Sequence, residues 1–200
     1  MASVTATRRP RLPLPPTFTF TEARRYGVSE RQLYSMRDAG LIEVIGRGLY
    51  RRTDVSGEAD IDLIEIARKA PRATLCLASA LARHGLTDEI PASIDIALPR
   101  GQHKPVTVAP VRWHSFDPST FDVGRTELRL DDQTSIGVYD PERSIIDAVR
   151  LRYREGPELA YQALKKWLGR RGSSPSKLLV MARTFPHAER GLRAALEILL

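Results

Sequence analysis

The stretch Thr17-Phe-Thr-Phe-Thr-Glu-Ala-Arg-Arg-Tyr-Gly-Val-Ser-Glu-Arg-Gln-Leu-Tyr-Ser-Met-Arg-Asp-Ala-Gly-Leu-Ile-Glu-Val-Ile-Gly-Arg-Gly-Leu-Tyr-Arg-Arg52 orders its local signals as helix, turn, helix and hairpin. Thr21 is expected to cap a short first helix. Gly27 suits the tight turn that follows. Ser29 starts a second helix, and Gln32 three residues later completes a capping box. Gly40 stands where a left-handed residue closes that helix. Leu41 to Ile45 and Leu49 to Arg52 are β-prone runs joined by Gly46-Arg47-Gly48, which is hairpin chemistry. Residues 17–55 therefore read as a winged helix-turn-helix, which makes double-stranded DNA the first partner to test.

At 100° per residue, Leu33, Met36 and Ala39 share one stripe of the second helix and are expected to pack inward. Arg31, Tyr34 and Asp38 point away, with Ser35 beside them. A recognition helix needs this sorting, with apolar anchors behind and side chains in front that reach phosphates or base edges. Gln32 lies nearer the apolar stripe and is read as a cap. The hairpin adds Arg47 at its tip and Arg51 and Arg52 on the return strand, placed to lie on backbone or minor groove. The candidate DNA-binding set is thus Arg31, Tyr34, Ser35, Arg47, Arg51 and Arg52. The alternative for the helix residues is an ordinary solvated face.

Charge placement agrees with the motif. Residues 1–55 hold ten basic residues, all arginine, against five acids, so they carry +5 of the chain's +7. Arginine favours forked, planar contact with phosphate. Residues 1–16 include Arg8-Arg-Pro-Arg-Leu-Pro-Leu-Pro-Pro16, a basic, proline-rich arm that cannot form regular helix. It is either a further DNA contact or a disordered tail.

The rest of the chain bounds the class. Of the 200 residues, 42% are hydrophobic and 28% charged, as in a soluble globular protein. No apolar run reaches the length of a membrane span, and the first residues lack a signal peptide's apolar core. The single Cys76 excludes an internal disulfide framework and fits a reducing cytoplasm; lying in an apolar stretch, it is read as a buried structural thiol. The apolar periodicity predicts a helix over 60–69, a second over 75–84, and a strand over 93–98. Further strands are expected at 106–108, 111–114, 126–130 and 135–139. Asp140-Pro-Glu-Arg is a helix start, with an N-cap acid and proline at the first position. Helices are also expected after Pro157, Ser174-Pro175 and Pro186. Residues 56–200 therefore read as an α+β domain, with a mostly antiparallel sheet and a helical tail.

Catalytic chemistry is hard to find. His84, His103, His114 and His187 show no metal-ligand spacing, so neither a metal nor a cofactor is expected. Gly46-Arg-Gly48 is too short for a phosphate loop. Asp95 lacks the acid-x-lysine partner of a nuclease site, because Glu127 is followed by Leu-Arg, and it reads as part of a solvated strand face. Arg143 and Asp147, four apart, read as a helix-surface ion pair.

Five segments follow one another along the chain: Gly40-Leu-Ile-Glu-Val-Ile-Gly-Arg-Gly-Leu-Tyr-Arg-Arg52, Leu77-Ala-Ser-Ala-Leu-Ala-Arg-His-Gly-Leu86, Ile94-Asp-Ile-Ala-Leu-Pro-Arg-Gly101, Val138-Tyr-Asp-Pro-Glu-Arg-Ser-Ile-Ile-Asp147 and Leu159-Ala-Tyr-Gln-Ala-Leu164. Together they resemble the AbiEi family of antitoxins from bacterial toxin–antitoxin systems of the abortive-infection type. The resemblance spans residues 17 to 185 and rests on the order of the segments. It implies a winged helix that represses the chain's own operon at inverted repeats in the promoter, bound as a homodimer or as adjacent monomers. It also implies that residues 56–200 are an antitoxin domain neutralising a cognate nucleotidyltransferase toxin by direct binding, indirect antagonism or covalent modification. Two other readings stay open. One is a transcription regulator that responds to a small ligand; the other is an enzyme that inactivates the toxin, for example by phosphoryl transfer.

Overall fold

The computed structural model describes residues 13–55 and 60–200, so the basic part of the proline-rich arm, residues 1–12, lies outside it. In chain order the first elements are β1 (Thr17–Thr19), α1 (Phe20–Arg25), α2 (Glu30–Asp38), β2 (Ile42–Gly46) and β3 (Leu49–Arg52). Then come α3 (Ile61–Lys69), β4 (Thr74–Leu75), α4 (Leu77–Arg83), β5 (Ile94–Pro99), β6 (Val111–Phe116), β7 (Arg125–Arg129) and β8 (Ser135–Tyr139). The chain ends in α5 (Pro141–Arg150), α6 (Arg152–Glu155), α7 (Pro157–Leu168), α8 (Pro175–Ala182) and α9 (Ala188–Leu199). The class is α+β.

The helix-turn-helix and its hairpin form as the local signals require, with three corrections. The cap of α1 is Thr19, not Thr21. The Thr19 hydroxyl accepts from the Glu22 amide at 3.2 Å, and the Glu22 carboxylate accepts from the Thr19 amide at 2.7 Å. Only Thr19 has an acid three residues on; Thr21 has Arg24 there. Ala39, expected inside, is exposed because α2 stops at Asp38 and residue 39 is already the cap. The hairpin also gains a third strand, since β1 pairs antiparallel with β3, giving the order β1-β3-β2. The expected capping box of α2 is present, with Ser29 and Gln32 bonded reciprocally. Gly27 and Gly40 take φ of +80° and +67°, which is why residues without Cβ end the two helices. Leu14, Phe18, Ala23, Val28, Leu33 and Ile42 fill the core, so the chain is already anchored at residue 14.

The second sheet has the order β6-β5-β4-β8-β7. Its pairings alternate between parallel (β6·β5, β4·β8) and antiparallel (β5·β4, β8·β7), so the sheet is mixed and not mostly antiparallel. At its centre lies β4, a two-residue strand of which only Leu75 falls in the span expected to be helix, and it joins both halves. Residues 106–108, expected as a strand, belong to the loop between β5 and β6. Both faces of this sheet are covered. Ile96, Leu98, Ile136 and Val138 pack on Leu63 and Ile66 of α3. On the other face, Ala97 and Tyr139 pack with Cys76, Leu77, Phe116 and Phe121. Helices α4, α5, α7, α8 and α9 then close the largest core, around Leu81, Ile145, Ile146, Leu164, Leu178 and Leu192.

Double coverage overturns two expectations about charge. Asp95 alternates with Ile94 and Ile96, yet its face is roofed and the residue is fully buried. It accepts from Arg112 Nε at 2.6 Å and bonds His114 Nε2 at 2.9 Å, both from the neighbouring strand β6. Burial pushes the Asp95 carboxyl up, but these two partners outweigh it and hold the group below the usual carboxylate range. Arg143 and Asp147 are likewise not on a helix surface; both are wholly buried. Arg143 Nε donates to Asp147 Oδ2 at 2.9 Å, and its Nη1 donates to the carbonyls of Thr120 and Val123 at 2.8 and 2.7 Å. Arg150 Nε holds the other Asp147 oxygen at 2.6 Å, and the Arg143 guanidinium stacks on Tyr139 and Phe185.

The two sheets meet at α3. Ile45 and Leu49 of the hairpin pack on Ile64, with Ile61 and Leu130 alongside. Arg68 of α3 is ion-paired with Glu22, and Thr17 Oγ1 donates to Asp131 Oδ2 at 3.2 Å. Arg143→Ala would leave Asp147 with one of its two cationic partners and two carbonyls without their donor. We expect a loss of about 3–5 kcal/mol, the range for breaking a buried pair, measured by urea unfolding. A change under 1 kcal/mol, on the order of a surface substitution, would show that the network contributes little.

Candidate nucleic-acid interface

With its side chains an α-helix is about 10–12 Å across, so α2, nine residues long, can enter a B-form major groove about 12 Å wide. Leu33 anchors its inner face at 1% exposure, with Met36 half-buried beside it. On the outer face Arg31 and Ser35 are exposed and Tyr34 is 44% exposed. The Tyr34 hydroxyl donates to Glu30 Oε1 at 3.1 Å, and this bond raises the phenol above its ordinary value, so Tyr34 stays a neutral donor. Arg37 stacks on the Tyr34 ring at 5.1 Å while pairing with Asp38 at 2.9 Å. At the hairpin tip Arg47 is exposed.

Arg51 and Arg52 are placed differently from the other four. Period-two alternation puts Arg51 on the same side of β3 as Leu49, the side that faces the body of the protein. It is 9% exposed, and its Nη1 lies 3.4 Å from Glu43 of β2. Arg52 forks onto Asp54 at 2.8 and 2.6 Å and donates to the Leu14 carbonyl at 2.6 Å. Both arginines are thus engaged within the module and brace the hairpin. Strand β1, absent from the sequence reading, runs alongside β3, with Thr17 opposite Arg51.

These pairings concentrate the positive charge. The acids of the first module are each occupied: Glu22 by Arg68, Glu30 by Tyr34, Asp38 by Arg37, Glu43 by Arg51 and Asp54 by Arg52. Among the described residues, Arg24, Arg25, Arg31 and Arg47 have no ion-pair partner. Sequence reading passed over Arg24 and Arg25, exposed at the end of α1, although basic residues in a helix's last turn before Gly27 were visible. In helix-turn-helix docking the first helix crosses the sugar–phosphate backbone.

Elsewhere Cys76 and two of the four histidines are engaged by their surroundings, while His103 and His187 are exposed. Cys76 is fully buried, and burial pushes its thiol well up, as a structural role requires. His114 is 4% exposed and committed to Asp95, while His84 Nε2 bonds the Tyr139 carbonyl at 2.7 Å. Among the described residues no group of three or more His, Cys, Asp or Glu can hold a metal ion, and no helix is long and apolar enough to cross a membrane.

Arg51→Ala should lower stability by about 1–3 kcal/mol, as for other losses of a buried polar partner. Arg47→Ala should stay within about 0.5 kcal/mol of the parent, as exposed sites do. Thermal unfolding of the two variants checks this; equal melting temperatures would contradict the bracing role.

The comparisons with known proteins bear on the same segment. Residues 14–53 match a family described as "Transcriptional regulator, AbiEi antitoxin". No curated protein matches the chain. Among solved structures it is similar to the RV2827C protein from Mycobacterium tuberculosis, with a TM-score of 0.62 at 15% identity over 92% of this chain and 72% of that one. At that identity the likeness concerns the fold. The family match thus coincides with the winged helix-turn-helix and does not extend over residues 54–200.

Proposed function

We propose that this protein is an antitoxin that also represses its own operon, dividing the tasks between residues 17–55 and 56–200. The supporting observation is the set of unpaired arginines on α1, α2 and the hairpin tip, left over once every acid nearby has an internal partner. In this reading α2 enters the major groove of the promoter, with Arg31, Tyr34 and Ser35 toward base edges and phosphates. Arg47 lies on the backbone or in the minor groove beyond, and Arg51 and Arg52 keep the hairpin in shape. Inverted repeats would be occupied by two copies on two half-sites.

Residues 56–200 would neutralise the toxin of the same operon, of the nucleotidyltransferase type, in the cytoplasm. Separation of tasks is functional and need not mean separable fragments: cutting after residue 55 would strip Ile45 and Leu49 from Ile64 and remove the Glu22 partner of Arg68. The full chain is therefore the proper test object. Arg31→Ala with Arg47→Ala should weaken promoter binding in a gel-shift titration at fixed salt by one to two orders of magnitude, roughly two phosphate or base contacts. The same double variant, co-expressed with the neighbouring toxin gene, should still restore growth. Unchanged promoter affinity would refute the DNA assignment, and lost rescue by a stably folded variant would refute the division of tasks.

A further inference from the structure

Strands β5 and β6 are parallel neighbours, yet only residues 100–110 connect them, without a helix. Parallel pairs usually return through a crossover of a dozen residues or more, so this loop is short and fixed by its contacts. It returns over α3. Lys69 Nζ donates to the Val106 carbonyl at 2.8 Å, and the Val108 amide donates to Glu65 Oε2 at 2.9 Å. Glu65, 1% exposed, lies at the same time against the hairpin: a Cβ added to Gly46 would sit 2.7 Å from its Oε1. One buried carboxylate thus ties the loop to the strand end that precedes Arg47.

The loop is basic. From Arg100 to Phe116 there is no aspartate or glutamate. Arg100, Gln102, His103 and Lys104 are all exposed. Arg100 reaches Asp117 only at 3.8 Å, with both side chains at least half exposed, and among the described residues Lys104 has no ion-pair partner. Four chain steps lead from Lys104 to the anchored Val108, a reach of at most about 14 Å, which is less than half of a helical turn of DNA at about 34 Å.

The geometry points to this loop as a second DNA-backbone contact, in which Lys104 holds a phosphate near those under Arg47 and Arg100, at the start of the loop, holds a further one. The ligand class is the duplex phosphate backbone, read without regard to sequence. The inference rests on the DNA reading proposed above and extends the footprint into residues 56–200. It also gives the exposed loop a role that does not depend on base recognition.

The test uses the full chain and two duplexes, one from upstream of its own gene and one scrambled, titrated over a series of salt concentrations. Arg100→Ala with Lys104→Ala should reduce the slope of log affinity against log salt by about 2, near 0.9 per phosphate contact, and do so on both duplexes. Lys104→Glu should weaken binding further, and melting curves should match the parent because both residues are exposed. A slope equal to the parent's would overturn the loop contact, while loss of binding in the Arg31→Ala, Arg47→Ala variant would show the winged-helix reading still standing. A parent chain that binds neither duplex would overturn both. A loop variant that binds DNA normally but no longer restores growth beside the toxin would also overturn the proposal, by assigning the loop to a protein partner.

Discussion

Helix α3 serves three neighbours at once, and that shared use constrains the rest of the molecule. Leu63 and Ile66 lie under the second sheet, Ile64 takes the hairpin's Ile45 and Leu49, and Glu65 fastens the β5–β6 loop. A carboxylate buried to 1% is tolerable only with partners, and Lys69 Nζ at 2.6 Å with the Val108 amide supplies them. Its closeness to Gly46 then leaves no room for a side chain at that end of β2. The direction in which the hairpin projects, and with it Arg47, is thereby set from the second half of the chain.

Within the first module, ion pairing does more to shape the interface than total charge does. An excess of arginine is visible from composition, but which guanidinium groups remain free depends on who neighbours each acid. Glu43 takes Arg51 because the two lie opposite each other across β2 and β3, Asp54 takes Arg52 two residues away, and among the described residues Arg31 and Arg47 have no ion-pair partner. Partly enclosed pairs fix geometry, and exposed unpaired cations stay available to an anionic surface.

Legibility in the sequence follows the range of the interaction. Ser29 with Gln32 and Asp140 with Pro141 announced their helices because caps act over three residues. The faces of α2 followed from periodicity, except at Ala39, where the helix had already ended. Strand β4 was hidden because two residues carry no period, and what makes them a strand is pairing with Ile96 and Val138 far along the chain. Asp95 and Arg143 were misplaced for a related reason: alternation and i,i+4 spacing give a face, but only the packed helices decide whether that face meets water. In the candidate site the exposure of Arg31, Tyr34, Ser35 and Arg47 was legible from local pattern, whereas the engagement of Arg51 depends on the register that sets Glu43 opposite it.

The narrowness of β4 has a consequence for biosynthesis. Its two residues join the β5–β6 pair to the β7–β8 pair, and its parallel partner in β8 is separated from it by more than sixty positions of chain. A polypeptide leaving the ribosome can close the winged head once α3 has emerged, but the middle of the larger sheet must wait until β8 is made. The head is therefore in a position to fold while its support is still being translated, and the β4–β8 pairing comes later, closing a loop of more than sixty residues.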